Sequence, residues 1–326
     1  MNLSIVIPVY NEEENLPHLH KAIHDALDPV DNLDWEVVYV DDGSSDESPK
    51  ILESLVAGDP SHTAVVEFRR NFGQTAAIAA GIDNSVGDIV VLMDADLQND
   101  PQDIPMMLEK IDQGYDVVSG WRVNRQDKFV TRTLPSRTAN WLISKVTGVN
   151  LHDYGCTLKA YRREVITSFR LYGEMHRFIP AYASSVGAKI IEVPVQHHPR
   201  KYGQTKYGLG RTIKVILDLF TVKFLMSYAH KPIYLFGGTG IILMIISSLI
   251  LLFLTVRRLW LKIGVFDSPL FIISAMLLIL GFQSILMGLI AELLARTYHE
   301  AQQKPTYSVR RVIGRTGENQ TTVLEA

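Results

Sequence analysis

Two aspartates one residue apart, Asp94 and Asp96, end an apolar run in "VVLMDADLQNDP". A carboxylate pair on a turn can hold a hard divalent cation, which prefers oxygen ligands and often shares them with substrate phosphates. Gln98 stands close enough to add a third oxygen. Asp-x-Asp alone is common in loops, so a solvated turn or helix cap is the competing reading. Similar polar groups follow two earlier apolar runs: Tyr10, Asn11 and Glu12 after "SIVIPV", and Asp41 and Asp42 after "WEVVYV".

Short apolar runs alternating with helical segments must position these residues. "SIVIPV", "WEVVYV", "TAVVEFRR", "DIVVLM" and "YDVVSGWR" read as strands. "SDESPKILESLVA", "QTAAIAAGIDNS" and "PQDIPMMLEKIDQG" read as helices, and Asn15 and Pro17 suit the start of another. This alternation predicts an α/β fold, a mostly parallel sheet covered on both faces. In such sheets ligands bind beyond the carboxyl ends of the strands, where the acidic groups fall. No glycine-rich phosphate loop follows the first strand, which excludes a P-loop enzyme and a dinucleotide-binding oxidoreductase.

The 326 residues carry a net charge of −3, so composition gives no reason to expect a nucleic-acid partner. The single cysteine, Cys156, excludes an internal disulfide framework and fits a reducing compartment. The N-terminus lacks the basic region of a signal peptide. Residues 232–256 and 269–291 carry no charge, and each can cross about 30 Å of hydrocarbon as a helix. A pair of buried core helices is the bland alternative. Gly237, Gly238, Gly240, Gly281 and Gly288 suit close helix packing in lipid. Arg211, Lys214, Lys223, Lys231, Arg296, Lys304, Arg310, Arg311 and Arg315 flank the pair, against Arg257, Arg258 and Lys262 between the spans. That bias predicts cytoplasmic termini on an integral inner-membrane protein. Residues 209–228 place Arg211, Lys214, Asp218 and Thr221 on one stripe, as in an interfacial helix or an amphipathic helix packed on the N-terminal domain.

The motifs together carry a resemblance. "SIVIPVYNEEENLP", "VVYVDDGSSDES", "NFGQTAAIAAG" and "VLMDADLQNDP" resemble the inverting glycosyltransferases of family 2, which have the GT-A fold. "SGWRVNRQD", "DYGCTLKAYRREV" and "HHPRKYGQTKYG" resemble the membrane-anchored polyprenyl-phosphate members: bactoprenol glucosyltransferases, dolichol-phosphate mannose synthases and the lipid A aminoarabinose transferase. The Q-x-x-R-W motif of processive polysaccharide synthases is absent. The resemblance implies a GT-A catalytic domain over 1–208, amphipathic interfacial helices over 209–230, two transmembrane helices over 231–295 and a tail over 296–326.

It also implies roles. Pro8, Tyr10, Glu12 and Asp41 would hold the nucleoside. Asp94, Asp96 and Gln98 would bind Mg²⁺ or Mn²⁺ on the donor diphosphate, over which Arg200 and Lys206 would close. Arg122, Arg132 and Ser136 match acceptor-phosphate positions; surface arginines near a loop are the alternative. Asp153 would orient a sugar hydroxyl or act as base, although a lone loop acid is more often structural, and Cys156 reads as a small buried residue. The substrates implied are a nucleotide sugar, UDP-glucose before GDP-mannose and a UDP-aminoarabinose derivative, and undecaprenyl phosphate. A membrane-anchored nucleotidyl or phosphoryl transferase and a non-enzymatic scaffold or flippase are the remote alternatives. In the tail, "KPTYSVRRVIG" is rich in β-formers and is expected to add to a sheet edge, of its own domain or, as favoured here, of a neighbouring subunit, giving a homo-oligomer, a homotetramer by choice among closed forms; a disordered basic tail attracted to anionic lipid is the alternative.

Overall fold

The computed structural model describes residues 2–123, 140, 143–145, 147–169, 171, 175–199, 233–262, 264–266, 268–301 and 307–314. The expected interfacial helix at 209–228 lies outside them. The chain forms two compact units, residues 1–219 with 305–326, and 220–304.

The first unit is built on one eight-stranded sheet. Its strands are β1 (Asn2–Val9), β2 (Asp34–Asp41), β3 (Thr63–Phe68), β4 (Ile89–Leu92), β5 (Val117–Trp121), β6 (Lys159–Arg162), β7 (Ile190–Pro194) and β8 (Val309–Gly314). Their order is β7-β5-β6-β4-β1-β2-β3-β8. The first four strands are parallel, and β6 and β8 run against the rest.

Helices α1 (Leu16–Leu27), α2 (Ser48–Gly58), α3 (Gln74–Asp83) and α4 (Ile104–Asp112) cover the faces. In α1 the buried positions Leu16, Leu19, Ile23, Ala26 and Leu27 recur at helical spacing and meet Ile5, Ile7 and Val37. α2 and α4 join that face. α3 packs Ala76, Ala77 and Ala80 against Val38, Val40 and Val66 on the other. Buried on both sides, the central strands are apolar almost throughout, which is why no alternation marks them in the sequence. Asn15 stands at the N-cap of α1 but its side chain caps nothing there; its Nδ2 donates to Glu12 Oε2 at 2.6 Å.

The tail strand forms, and within this chain it takes the other docking that the sequence allows, on its own sheet. β8 pairs antiparallel with β3 of its own chain, from Ala64–Gly314 to Phe68–Val309. Without it β3 would end the sheet with unpaired backbone groups, and the strand satisfies them locally. Arg310 Nη1 lies 3.0 Å from Glu67 Oε1, and Arg311 pairs with both Glu67 and Glu53. Tyr307 stacks on Phe68 at 5.3 Å between centroids and donates to Asp83 Oδ2 at 2.7 Å. Truncation after Lys304 is therefore expected to lower the melting temperature by about 5 °C, from the loss of several cross-strand pairs. An unchanged melting curve would show that β8 adds nothing to the sheet.

The second unit is a hairpin of two helices, Ile233–Leu261 and Pro269–Ala301. The first runs past the uncharged stretch, so Arg257 and Arg258 lie in its last turns and not in the loop. Only 17% and 11% of their apolar spans is buried. Helices apolar on all sides and this exposed need lipid as solvent, so the protein is a membrane protein. The helices meet through small residues. A Cβ at Gly240 would sit 2.5 Å from Gly281 O, and one at Gly281 2.7 Å from Gly240 O. Ser247 Oγ donates to Ser274 O at 2.7 Å, and Thr239 Oγ1 lies 3.1 Å from Ser284 Oγ. Cysteines at Thr239 and Ser284, in a Cys156→Ala background, are expected to cross-link, and Gly240→Leu to prevent it. Equal cross-linking with leucine present would rule out glycine-mediated contact.

Candidate active site

Two loops at the carboxyl ends of β1 and β2 interlock. Asn11, at a φ of 54°, donates its N–H to Ser44 Oγ at 2.9 Å and accepts from Ser45 N at 2.8 Å through Oδ1. Glu12 N donates to Ser48 Oγ at 2.9 Å. Tyr10 is exposed and Pro8 half-buried beside this junction. The neighbouring aspartates divide their work. Asp42 accepts from Phe72 N at 2.6 Å and Gly73 N at 3.0 Å, which fixes the turn into α3. Gly43, at a φ of 70°, lets that turn close: a Cβ there would meet the Arg70 carbonyl carbon at 2.6 Å. Asp41 is held by Ser44 N at 3.1 Å, and burial raises its carboxyl above the usual range. A buried acceptor of this kind suits a ligand N–H or hydroxyl.

Asp94 follows β4 and is gripped from two sides. Gln74 Nε2 donates to Oδ1 at 2.8 Å and Thr157 Oγ1 to Oδ2 at 2.8 Å. Burial first, then the neighbouring Asp96 carboxylate, push its carboxyl up to about 6. Asp96 is buried, and its Oδ1 accepts from Gln98 N at 3.2 Å. Leu97, at a φ of 59°, turns the backbone between them. The Gln98 carbonyl accepts from His198 N at 2.9 Å and lies 3.2 Å from His197 Nδ1. His198 Nε2 lies 2.9 Å from Asp100 Oδ2. The segment after β7 thus braces the aspartate turn. Arg200 and Lys206, further along it, lie outside the described residues, as do Arg132 and Ser136.

Arg122 and Asp153 meet each other. Nε donates to Oδ2 at 2.7 Å and Nη2 to Oδ1 at 3.0 Å, with side chains 12% and 5% exposed. Asp153 is thus committed to orienting Arg122. Lys159 on β6 is buried and donates to the carbonyls of Tyr154 and Cys156; desolvation lowers its pKa. Cys156 is fully buried, its thiol pushed up to about 11 by desolvation, which makes it no nucleophile. His176 lies 2.9 Å from Thr75 Oγ1, and burial holds it neutral, at about 3.

Gln74, Thr157, Lys159, His197 and His198 are the supporting residues that motif reading missed. One signal was available: a lysine between Leu158 and Ala160, inside an apolar strand, has to be explained. What the site can do follows from its charge. Two aspartates on one turn, one of them held above the usual carboxylate range by burial and by the other, offer paired carboxylate oxygens to a hard divalent cation.

An open, mostly parallel sheet with acidic turns at the carboxyl ends of its strands is the arrangement of a GT-A fold. A glucosyl-3-phosphoglycerate synthase from Mycobacterium tuberculosis, in complex with Mn²⁺ and UDP-glucose, shares the fold at a TM-score of 0.51 and 20% identity, over 68% of this chain and 78% of that one. The chain belongs to glycosyl transferase family 2, whose profile matches residues 4–169. A dodecaprenyl-phosphate galacturonate synthase of Rhizobium johnstonii is 42% identical over 315 residues, 96% of this chain and 93% of that protein. An undecaprenyl-phosphate 4-deoxy-4-formamido-L-arabinose transferase of Enterobacter sp. is 38% identical over 318 residues, 96% of this chain and 94% of that protein. The remote readings as a nucleotidyl transferase or a non-enzymatic scaffold give way to glycosyl transfer.

Proposed function

We propose that this protein transfers a sugar from a nucleotide sugar to a polyprenyl phosphate at the cytoplasmic membrane surface. The observation that carries the reading is an aspartate turn at the carboxyl end of β4 and two exposed helices long and apolar enough to cross a membrane in one chain. A long isoprenoid cannot leave the bilayer, so an enzyme acting on its phosphate has to be anchored there. Two relatives that match nearly the whole chain are named for polyprenyl-phosphate substrates. Their sugars favour a galacturonate or 4-formamido-arabinose donor over UDP-glucose.

Asp94 and Asp96 fit a hard divalent cation, Mg²⁺ or Mn²⁺, because they set two carboxylates on one turn after β4 and such ions prefer oxygen ligands; Gln98 is the third candidate ligand. Such an ion, when bound, offsets the charge developing on the leaving nucleoside diphosphate. Pro8, Tyr10, Glu12 and Asp41 hold the nucleoside, and Arg200 and Lys206 the diphosphate. Arg122, oriented by Asp153, uses the rest of its guanidinium on the acceptor phosphate, with Arg132 and Ser136. An acceptor phosphate oxygen attacks the anomeric carbon opposite the leaving group. The new C–O bond forms as the bond to the diphosphate breaks, and configuration inverts. The nucleophile is already ionised near neutral pH, so Asp153 need not act as a base.

The test is a donor screen on membranes with undecaprenyl and dodecaprenyl phosphate, reading the mass of the glycolipid. A uronate or formamido-pentose adduct is expected. A hexose adduct would restore UDP-glucose or GDP-mannose, and no adduct with any donor would sink the reading.

A further inference from the structure

A histidine cluster lies at the opposite end of the parallel strands from Asp94. His20 and His24 sit one turn apart on α1, Asp59 follows α2, and His62 precedes β3. His24 Nε2 is 3.2 Å from Asp59 Oδ2, and His62 Nδ1 is 2.9 Å from Asp59 Oδ1. One ligand atom each from His20, His24 and Asp59 lie within 4.8 Å of one another. The His24 and His62 ring centroids are 5.8 Å apart.

The surroundings aim these rings. Tyr39 OH lies 3.3 Å from His20 Nδ1, which leaves Nε2 for another partner. Asp28 Oδ2 takes His24 Nδ1 at 3.0 Å, so Nε2 is the atom facing Asp59. Trp35 stacks on His62 at 4.4 Å and meets His24 edge-on at 4.8 Å, restricting both rings. A carboxylate behind a ligating imidazole is the usual support for a bound metal. Atoms 4.8 Å apart lie at most about 2.8 Å from their common centre, so each closes by about 0.7 Å to reach a Zn–N distance of about 2.1 Å. Side-chain rotation within these half-exposed groups can supply that.

We propose that His20, His24 and Asp59, with His62 bracing the Asp59 carboxylate, form a second cation site, taking Zn²⁺ or another imidazole-preferring divalent cation and clasping α1 to the turn between α2 and β3. Imidazole-rich donor sets select late first-row metals over Mg²⁺. The site shares no residue with the Asp94 turn and does not depend on the transfer reaction. The competing account is a metal-free network in which His24 bridges Asp28 and Asp59 by hydrogen bonds.

The test uses the full chain in detergent, stripped of metal by chelator, with Asp96→Asn to weaken the donor-site cation. Zn²⁺ is titrated by calorimetry, and Co²⁺ is added separately to read geometry from its visible spectrum. One Zn²⁺ per chain should bind in Asp96→Asn, with a tetrahedral Co²⁺ spectrum, and raise the melting temperature. His24→Gln and His62→Gln should each weaken binding by about a hundredfold. No Zn²⁺ bound in Asp96→Asn overturns the proposal and leaves the hydrogen-bond network. Binding unchanged in both glutamine variants, judged folded by their metal-free melting curves, overturns it as well.

Discussion

Asp96→Asn is expected to lower sugar transfer by about a thousandfold or more while the protein stays folded and in the membrane. The size follows from removing a charged ligand at the point where leaving-group charge develops. The intact fold follows from the turn itself: asparagine keeps the oxygen that accepts from Gln98 N. Asp94→Asn should behave alike, because Gln74 and Thr157 can each still bond to an amide. Its melting temperature should not fall, since burial and Asp96 already work against its charge. Transfer is measured in membranes with and without chelator, alongside thermal melts. Wild-type turnover in chelator, or by either variant, would refute the cation assignment.

The second large effect concerns stability. Asp153→Ala is expected to cost about 3–5 kcal/mol, because it strands the Arg122 guanidinium in a site where that side chain is 12% exposed. Arg122→Leu with Asp153→Leu should recover most of that loss and restore no transfer, since an uncharged pair of similar bulk avoids the stranded charge. Melting curves and the KM for polyprenyl phosphate separate the roles. A positioning aspartate raises the acceptor KM when removed. A catalytic base would lower kcat with KM and melting temperature unchanged.

Much of the site is legible in the sequence because strand ends are local. Asp94, Asp96, Asp41 and Glu12 can be placed from apolar runs and the residues that stop them. Contacts made by distant segments are not legible. Arg122 and Asp153 are separated by 31 positions, and His197 and Gln98 by 99. Neither spacing carries a signal, so Asp153 read as a lone loop acid and the two histidines as the lead-in to Arg200. Asp41 and Asp42 are chemically alike in sequence. Only the hydrogen bonds from Phe72 N and Gly73 N assign Asp42 to the turn. The tail strand was readable as a strand, since β-propensity is local, and unreadable in its partner, since any open edge accepts it.

The pairing of β8 with β3 sets a schedule for biogenesis. Glu67 and Arg310 are 243 positions apart, with both membrane helices encoded between them. At a synthesis rate of about 5–20 residues per second, the β3 edge waits roughly 12–50 s for the strand that covers it. Late in that interval, once β7 has been made, a catalytic sheet lacking only β8 stands beside the ribosome with a row of unsatisfied backbone groups. The chain must therefore be handed to the insertion machinery before its sheet is finished, and a stalled insertion leaves an adhesive edge. Loss of the translocon should accordingly show up first as aggregation through β3, ahead of any loss of donor chemistry.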